Sequence, residues 1–447
     1  MSGVRSPSSE GTSEESAGAA DRLKAISRPM ESDDDLHPLW DRIGEARYVL
    51  LGEASHGTSE YYSWRSRISQ WLIREKGFSF IAVEGDWPDC YRVNRYIKGA
   101  PDSGNSAREV LHAFDRWPTW MWANEEVTAL AESLRRENDS RPDEKKVGFY
   151  GLDVYSLWDS MKAVIEYLER TDPAAVSAAR RAYRCFEPYG EDVQEYARAT
   201  AFVPASCERE VIDLLSTLRR RIPEHRSDRE SAFNAEQNAL VARNAELYYR
   251  TMMQGGAPSW NVRDLHMVET LERLMAFHGA GAKGIVWAHN THVGDARATD
   301  MSREGMFNIG QLVRERHRPD EVVLVGFGSY HGSVIAASEW GSPMARMAVP
   351  PAREGSFEEI LHQIGAKDQL FIFNEGRPDG RLFAPRGHRA IGVVYDPRLE
   401  RYGNYVPTIL PRRYDAFLFI DESSALHPLH IRLHEEGDLP ETYPFAA

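Results

Sequence analysis

Short apolar runs alternate with amphipathic stretches along this chain. Residues 48–51, 78–83 apart from Ser79, and 284–288 are apolar at successive positions, which is typical of strands buried on both faces of a parallel sheet. Residues 59–76 and 124–138 instead repeat apolar side chains at helical spacing. We therefore predict an α/β fold, with a mainly parallel sheet flanked by helices.

The alternation stops in the middle of the chain and then resumes. Residues 156–280 are helical in pattern almost throughout, and no heptad is sustained that would favour a coiled coil. We predict a helical insertion that forms a cap over the carboxyl edge of the sheet. The predicted divisions are a disordered segment at 1–30, the first part of the α/β domain at 31–155, the insertion at 156–280, and the second part at 281–447.

The resumed alternation adds further strand candidates. The strand candidates are residues 321–331, 370–374, 390–395 and 416–420, and residues 357–364 have helical spacing. The strand at 321–331 ends in the polar groups of Tyr330 and His331.

Composition narrows the class of protein. A hydrophobic content of 42% is enough for a sizeable core, and a formal charge of −14 argues against nucleic acid as a partner. The three cysteines form no Cys-x-x-Cys pair, which suits a reducing compartment. The chain shows neither a signal peptide nor an apolar run long enough to cross a bilayer. We expect a cytoplasmic protein with no membrane partner.

Ionisable and polar side chains follow several of the predicted strands. Because parallel strands present their carboxyl ends at one edge, these residues should converge on one cleft. They are Glu53, His56, Glu84, Asp86, Asp153, His289, His292, Tyr330 and His331. Taken singly, Glu53 and His56 also suit a helix-capping turn, and His289-Asn-Thr-His292 suits a turn that satisfies backbone groups.

The stretch Phe114-Asp-Arg-Trp-Pro-Thr-Trp-Met-Trp122 is rich in tryptophan. Its rings, Trp120 among them, suit either core packing or the wall of a pocket for a bulky apolar ligand.

The chemistry available to such a cleft is limited by what the sequence lacks. It has no Gly-x-Ser-x-Gly elbow, no catalytic cysteine signature, no P-loop and no dinucleotide fingerprint. Carboxylates and imidazoles remain, with Arg65 on the helix that follows His56. Such a set can activate a water molecule by general base catalysis, and it can also bind a divalent metal through nitrogen and oxygen ligands. The sequence leaves both readings open.

Several motifs together resemble the erythromycin esterase family. They are Gly52-Glu-Ala-Ser-His-Gly-Thr58, Val83-Glu-Gly-Asp-Trp87, Arg263-Asp264, Trp287-Ala-His-Asn-Thr-His292, Gly328-Ser-Tyr-His-Gly-Ser333 and Glu400-Arg-Tyr-Gly-Asn-Tyr405. The resemblance covers residues 35–430. It implies an α/β sheet with a large helical insertion, and hydrolysis of a macrolide lactone by an activated water without a covalent acyl-enzyme.

The resemblance also implies roles for individual residues. His56 is the expected base, Glu53 and Glu84 orient it or the water, and His289 and His292 complete the catalytic set with Arg65. Substrate contacts are expected from Asp86, Trp87, Arg92, Trp120, Asp153, Arg263, Tyr330 and His331.

The sequence therefore predicts an esterase-like hydrolase, with a role in macrolide antibiotic resistance implied by the resemblance. The expected partner is a small ester or lactone, and no metal or other cofactor is expected. Two alternatives stay open: a hydrolase that depends on a divalent metal, and a protein that binds a metal or small molecule in the same cleft without turnover.

Overall fold

A computed structural model describes residues 9–189, 193–202, 206–221, 228–253, 256–365, 367–373 and 384–430. In these ranges the strands are β1 (Ser27–Pro29), β2 (Tyr48–Leu51), β3 (Phe80–Val83), β4 (Gly148–Gly151), β5 (Gly284–Trp287), β6 (Val322–Ala337), β7 (Met344–Val349), β8 (Gln369–Ile372), β9 (Arg386–Arg389), β10 (Tyr405–Thr408) and β11 (Ala416–Ser423). The α-helices are α1 (Ser9–Ile26), α2 (His37–Ile43), α3 (Ser59–Glu75), α4 (Trp87–Ile97), α5 (Ala107–His112), α6 (Glu125–Asp139), α7 (Leu157–Thr171), α8 (Val176–Phe186), α9 (Val193–Phe202), α10 (Glu208–Arg221), α11 (Arg229–Met252), α12 (Ala257–His278), α13 (Asn290–Val293), α14 (Ile309–Arg316), α15 (Phe357–Ile364), α16 (Glu400–Gly403) and α17 (Leu410–Arg413).

The central sheet has the order β1-β8-β11-β6-β2-β5-β3-β4, with β7 paired to β6. From β11 to β4 every neighbouring pair is parallel, whereas β8 and β7 join antiparallel. The predicted α/β class with a mainly parallel sheet is therefore confirmed. In register, Leu51 and Val83 both lie opposite Trp287, and Val83 lies opposite Gly151. The carboxyl ends of these four strands are consequently level, and the loops that follow them meet at one edge.

Alternate side chains of each strand pack on opposite faces of the sheet. On one face Leu51, Val83 and Trp287 pack against α2, α3 and α6. On the other face Leu50, Ala82 and Val286 pack against α12, α14 and α15. Burial on both faces explains why these strands are continuously apolar in sequence.

The helical insertion has a core of its own. Side chains of α7, α8, α10 and α11 form a separate apolar cluster that includes Leu168, Ala182 and Leu214. Cys185 and Cys207 are bonded as a disulfide in this region, contrary to our expectation of reduced thiols, because the chain returns from α8 to the start of α10. Cys90 is free and buried. None of the helices in the described part of the chain combines the length and the hydropathy that a membrane span needs.

Two local predictions are wrong. Residues 9–29 of the segment predicted to be disordered form α1 and β1, because Ala19 and Leu23 are buried and β1 pairs with β8. Residues 1–8 lie outside the described ranges. Residues 390–395 form isolated bridges through Ile391 and Val394 and no strand, and the strand in this region is β9.

Candidate active site

A cavity of about 440 Å³ opens at the carboxyl edge of the sheet. The predicted site residues that line it are His56, Glu84, Asp86, Asp153, Arg263, His289 and His292. They come from the loops after β2, β3, β4 and β5 and from α12, so the level strand ends bring together residues that are far apart in sequence.

His56 is held by a carboxylate beneath the cavity. Its Nδ1 lies 2.8 Å from Glu53 Oε1, and Glu53 Oε2 accepts a hydrogen bond of 2.5 Å from Arg65 Nη2. Glu53 and Arg65 are almost fully buried, and the Arg65 guanidinium stacks between the rings of Tyr62 and Trp287 at 4.4 and 4.7 Å. The neutral imidazole that donates Nδ1–H to Glu53 leaves Nε2 free to accept a proton.

His289 faces His56 across the end of β5, with 5.0 Å between the ring centroids. Its Nδ1 accepts a hydrogen bond of 3.3 Å from the backbone N–H of Thr291, so in the neutral ring the proton is on Nε2. Burial, together with the nearby His56, holds the pKa of His289 well below its usual range. Nε2 is buried and makes no hydrogen bond of normal geometry with the described residues, although the backbone carbonyl of Ala54 lies near enough to the ring to raise its pKa somewhat.

His292, on the same loop as His289, lies between two carboxylates that come from α12 and from the end of β3. Its Nδ1 is 2.9 Å from Asp264 Oδ2, and its Nε2 is 3.4 Å from Glu84 Oε1. Burial by itself would lower the pKa of His292, but Asp264 and Glu84 raise it to about 9. The ring stacks on Trp260 with 4.5 Å between centroids.

Arg263 ties the neighbouring carboxylates together. Its Nε and Nη2 donate to Asp153 at 2.9 and 2.7 Å, Nη2 also donates to Glu84 at 2.7 Å, and Nη1 lies 3.0 Å from His292 Nε2. Burial alone would raise the pKa of Glu84, yet His292 and Arg263 hold it well below its usual range. Glu84 Oε2 in turn accepts the backbone N–H of His289 at 2.8 Å. The charged residues thus fix the loop that carries both histidines.

Aromatic rings form much of the remaining wall. They are Phe114, Trp117, Trp122, Tyr155, Trp260, Trp340 and Tyr405. The tryptophan-rich stretch therefore contributes both to the wall and to the core, since Trp120 is buried behind Trp117 at 5.5 Å. From the helices of the insertion that the structure describes, α12 alone supplies lining residues, Trp260 and Arg263. Within the described residues, the insertion that we expected to cap the site therefore contributes to the cavity wall through α12.

Five predicted substrate contacts do not line the cavity. Trp87 is buried against Tyr150, Trp120 lies behind Trp117, and the exposed Arg92 pairs with Asp89. Tyr330 stacks on His362 at 3.7 Å, and His331 faces a separate open depression.

Our expectation that Tyr330 and His331 lie at a strand end in this cleft is wrong. Val325 is the residue of β6 opposite Leu51, and β6 continues to Ala337 along β11 and β7. At about 3.3 Å per residue, His331 lies roughly 20 Å along β6 from Val325. Further along, Ile335 donates its backbone N–H to Gly57 O at 3.0 Å, so β6 runs beside the loop of His56, but Tyr330 and His331 do not line the cavity.

Sequence reasoning missed several residues of the site. Asp264 and Asn290 lie within two of the motifs but have no predicted role. In the structure Asp264 contacts His292, and Asn290 is fully buried in the turn between His289 and His292. Trp260 and Tyr155 line the cavity but were not predicted to belong to the site. An isolated aromatic residue on a helix or loop gives no sequence signal that distinguishes a cavity wall from the hydrophobic core.

The described residues contain no group of three or more His, Cys, Asp and Glu side chains arranged to hold a metal ion. The carboxylates here face arginines: Arg65 binds Glu53, and Arg263 binds Glu84 and Asp153.

Comparisons with known proteins identify the family of this chain. The chain is 21% identical over 405 residues to erythromycin esterase type II of Escherichia coli, covering 84% of this chain and 92% of that protein. It is 20% identical over 411 residues to the putative hydrolase YbfO of Bacillus subtilis, covering 87% and 86%. A solved structure of an erythromycin esterase mutant in its open conformation has a TM-score of 0.66 at 16% identity, covering 89% of this chain and 98% of that chain, and shows the fold. Since the erythromycin esterase model matches residues 73–423, this chain belongs to the erythromycin esterase family, whose members are hydrolases.

Proposed function

We propose that this protein hydrolyses an ester or lactone with a water molecule activated by His56. The observation that carries the proposal is the 2.8 Å contact between His56 Nδ1 and Glu53 Oε1 beneath the cavity. A carboxylate at Nδ1 fixes the tautomer whose Nε2 is basic and stabilises the imidazolium that forms when the proton is taken.

Arg65 makes Glu53 a fixed partner. A buried carboxylate without a counter-ion would be costly, and the 2.5 Å hydrogen bond from Arg65 supplies one. Because Arg65 is itself wedged between two aromatic rings, Glu53 has little freedom to turn away from His56.

His289 is the proposed electrophile. A neutral ring whose Nε2–H makes no hydrogen bond of normal geometry with the described residues can donate to the carbonyl oxygen of the substrate, where negative charge develops as water attacks. The depressed pKa supports this role, because it keeps the ring neutral and its tautomer fixed at ordinary pH.

A network of charged residues is proposed to hold the reacting groups in position. It consists of His292, Glu84, Asp153 and Arg263. They exchange hydrogen bonds and ion pairs among themselves, and Glu84 holds the backbone of His289. Arg263 and Glu84 also face the cavity and supply polar contacts for a substrate.

The substrate proposed for this site is bulky and mostly apolar, with one ester in a polar corner. The cavity of about 440 Å³ combines several aromatic walls with the histidines at one end. A macrolide lactone fits that description, and its hydrolysis in a cell would confer resistance to the antibiotic. A smaller aryl or acyl ester fits it as well, so both belong in the test.

The test compares wild type with His56→Ala on p-nitrophenyl esters and macrolide lactones. The expected result is a loss in kcat of about two to four powers of ten for the variant, the usual range for a general base. Circular dichroism of both proteins controls for folding. Wild-type turnover by a folded His56→Ala protein would remove His56 as the base.

A hydrolase that depends on a divalent metal is the second candidate, because His56, His289 and Glu84 are ligand types that such ions accept. The guanidinium groups beside Glu53, Glu84 and Asp153 favour the metal-free mechanism, since the carboxylates already have counter-ions. We expect activity to survive exhaustive chelation. If chelation abolishes activity and one divalent ion restores it stoichiometrically, the histidines are ligands and His56 is not the base.

A protein that binds a ligand without turnover is the third candidate. It requires the same cavity and predicts ligand binding with no product. Mass spectrometry of each ester after incubation separates the two, because hydrolysis adds one water to a lactone or splits a linear ester.

A further inference from the structure

The side chain of Asn290 forms hydrogen bonds with the backbone of β6 just beyond the point where β2 stops pairing with it. Strand β2 ends at Leu51 opposite Val325, and Gly52 N–H makes the last hydrogen bond, 2.8 Å to Val325 O. Beyond that point β6 continues without β2. The Asn290 side chain then binds both backbone groups of Phe327, with Nδ2 donating to the carbonyl at 2.6 Å and Oδ1 accepting from N–H at 3.3 Å. Its amide therefore stands where the next residue of β2 would have paired.

Gly52 leaves room for this substitution. A Cβ on residue 52 would lie 2.1 Å from Asn290 Oδ1, so any larger side chain would push the amide away from Phe327. The backbone N–H of Asn290 also donates to the carbonyl of Glu53 at 2.8 Å. The loop that carries His289 and His292 is thereby joined to the loop that carries Glu53 and His56.

A second buried His–Glu pair fixes the orientation of that amide. Asn290 Nδ2 lies 3.2 Å from His388 Nε2, and His388 Nδ1 lies 2.5 Å from Glu358 Oε1. Burial lowers the pKa of His388, which keeps the ring neutral. A neutral ring that donates Nδ1–H to Glu358 presents Nε2 as an acceptor, so the NH₂ end of Asn290 must face it. Glu358 and His388 are both fully buried and do not line the cavity.

We propose that Glu358, His388 and Asn290 form a positioning network that sets His289 and His292 against His56. The proposal rests on the proposed function, in which His56 activates the water and His289 donates to the substrate. Asn290 lies one residue after His289 and two before His292 in a short helical turn, so a shift of its side chain moves both rings. The network lies behind the reacting groups and acts through them.

The main experiment compares His388→Leu with His388→Gln. Leucine fills the space without an acceptor, whereas the glutamine amide oxygen can accept from Asn290 in place of Nε2. We expect His388→Leu to lower kcat about 100-fold, the cost of an ångström-scale misplacement, with KM unchanged because the cavity lining is intact. His388→Gln should recover most of that loss. Equal kcat in wild type and a folded His388→Leu protein would overturn the proposal.

A double-mutant cycle with His289→Ala asks whether the network acts through His289. If it does, His388→Leu costs much less kcat in the His289→Ala background than in wild type. Full additivity would overturn the proposal, since a general loss of stability affects both backgrounds alike.

Nitrogen NMR of the histidine rings supplies a readout that does not depend on turnover. We expect His388→Leu to change the ring ¹⁵N shifts of His289. If the His388→Leu protein fails to fold, Gly52→Ala is the second variant. Its Cβ displaces the Asn290 amide from the side opposite His388, and it should also change the ring ¹⁵N shifts of His289. If the ¹⁵N shifts of His289 do not change, the positioning network is overturned even if the protein is an esterase. If His56→Ala instead keeps wild-type turnover, His56 is not the base, and a change in the His289 shifts still supports the network.

Discussion

His289 and His292 lie three residues apart on one loop, yet their surroundings push their ionisation in opposite directions. His289 has a threonine and another histidine near its ring, and its pKa is held well below the usual range by burial and His56. Burial also acts against the charged form of His292, but Asp264 and Glu84 raise its pKa to about 9. The partners that make the difference come from α12 and from the end of β3, far away in sequence.

The comparison teaches that a short motif does not assign roles to its histidines. A ring kept neutral can donate a hydrogen bond to a substrate with a fixed tautomer, whereas a ring kept charged anchors carboxylates. Here the neutral ring faces His56, and the charged ring holds Glu84 and Asp264 in place. Three tests separate the roles of the two histidines, and a fourth asks whether the functional site extends beyond the residues that line the cavity.

Of these four tests, the largest effect is expected from His289→Ala. Loss of the proposed donor to the developing oxyanion should lower kcat by about two to three powers of ten, measured on the ester that wild type turns over best. His289→Gln is the matched control, because its amide N–H can still donate, and it should lose less. Equal losses in both variants would mean that His289 does not act as a donor.

Asp264→Asn should remove the pH dependence that His292 gives to stability. The pKa of His292 in the folded protein lies above its unfolded value, so its stabilising contribution is complete below a pH of about 6.5 and is lost as pH rises through about 9. The wild-type free energy of unfolding in urea should therefore fall by up to about 3 kcal/mol across that window. The slope should be much flatter in Asp264→Asn. Parallel curves for the two proteins would contradict the assignment of the proton to His292.

His289 should act on stability at the acid end. Its folded pKa lies below the unfolded value, so the unfolded chain binds more protons below a pH of about 6.5, and stability falls as pH falls. His289→Gln cannot titrate, and its unfolding free energy should decline less than that of wild type between pH 6.5 and 5. We expect a smaller effect than for His292, and urea titrations at the two pH values measure it. An equal decline in both proteins would show that His289 is not buried in its neutral form.

The smallest effects are expected from His331→Ala and Arg92→Ala. Neither side chain lines the cavity, and surface substitutions usually change stability by no more than about 0.5 kcal/mol. Both variants should keep wild-type kcat and KM. A large loss of kcat in His331→Ala would show that the functional site extends along β6 beyond the residues that line the cavity.

Much of the fold was predictable because burial on both faces leaves a plain record in sequence. The apolar runs located β2, β3, β5, the start of β6 and β11, and helical spacing located α3, α6 and α15. The segment before residue 30 was not predictable, because α1 is weakly amphipathic and its burial depends on packing beneath α15. The disulfide was hidden for a related reason, since Cys185 and Cys207 become neighbours only when α8 and α10 pack.

The sequence by itself determined the residue types at the strand ends, and therefore the acid–base chemistry available to Glu53, His56, Glu84, His289 and His292. Only the tertiary structure decided which of them meet. Level strand ends brought these loops together, whereas Tyr330 and His331 lie within the longer strand β6 and do not line the cavity. The structure also decided the ionisation of each histidine and the role of Asn290. The physical reason is that pairing register and packing fix distances between groups distant in sequence, and electrostatic interactions and hydrogen bonds depend on those distances.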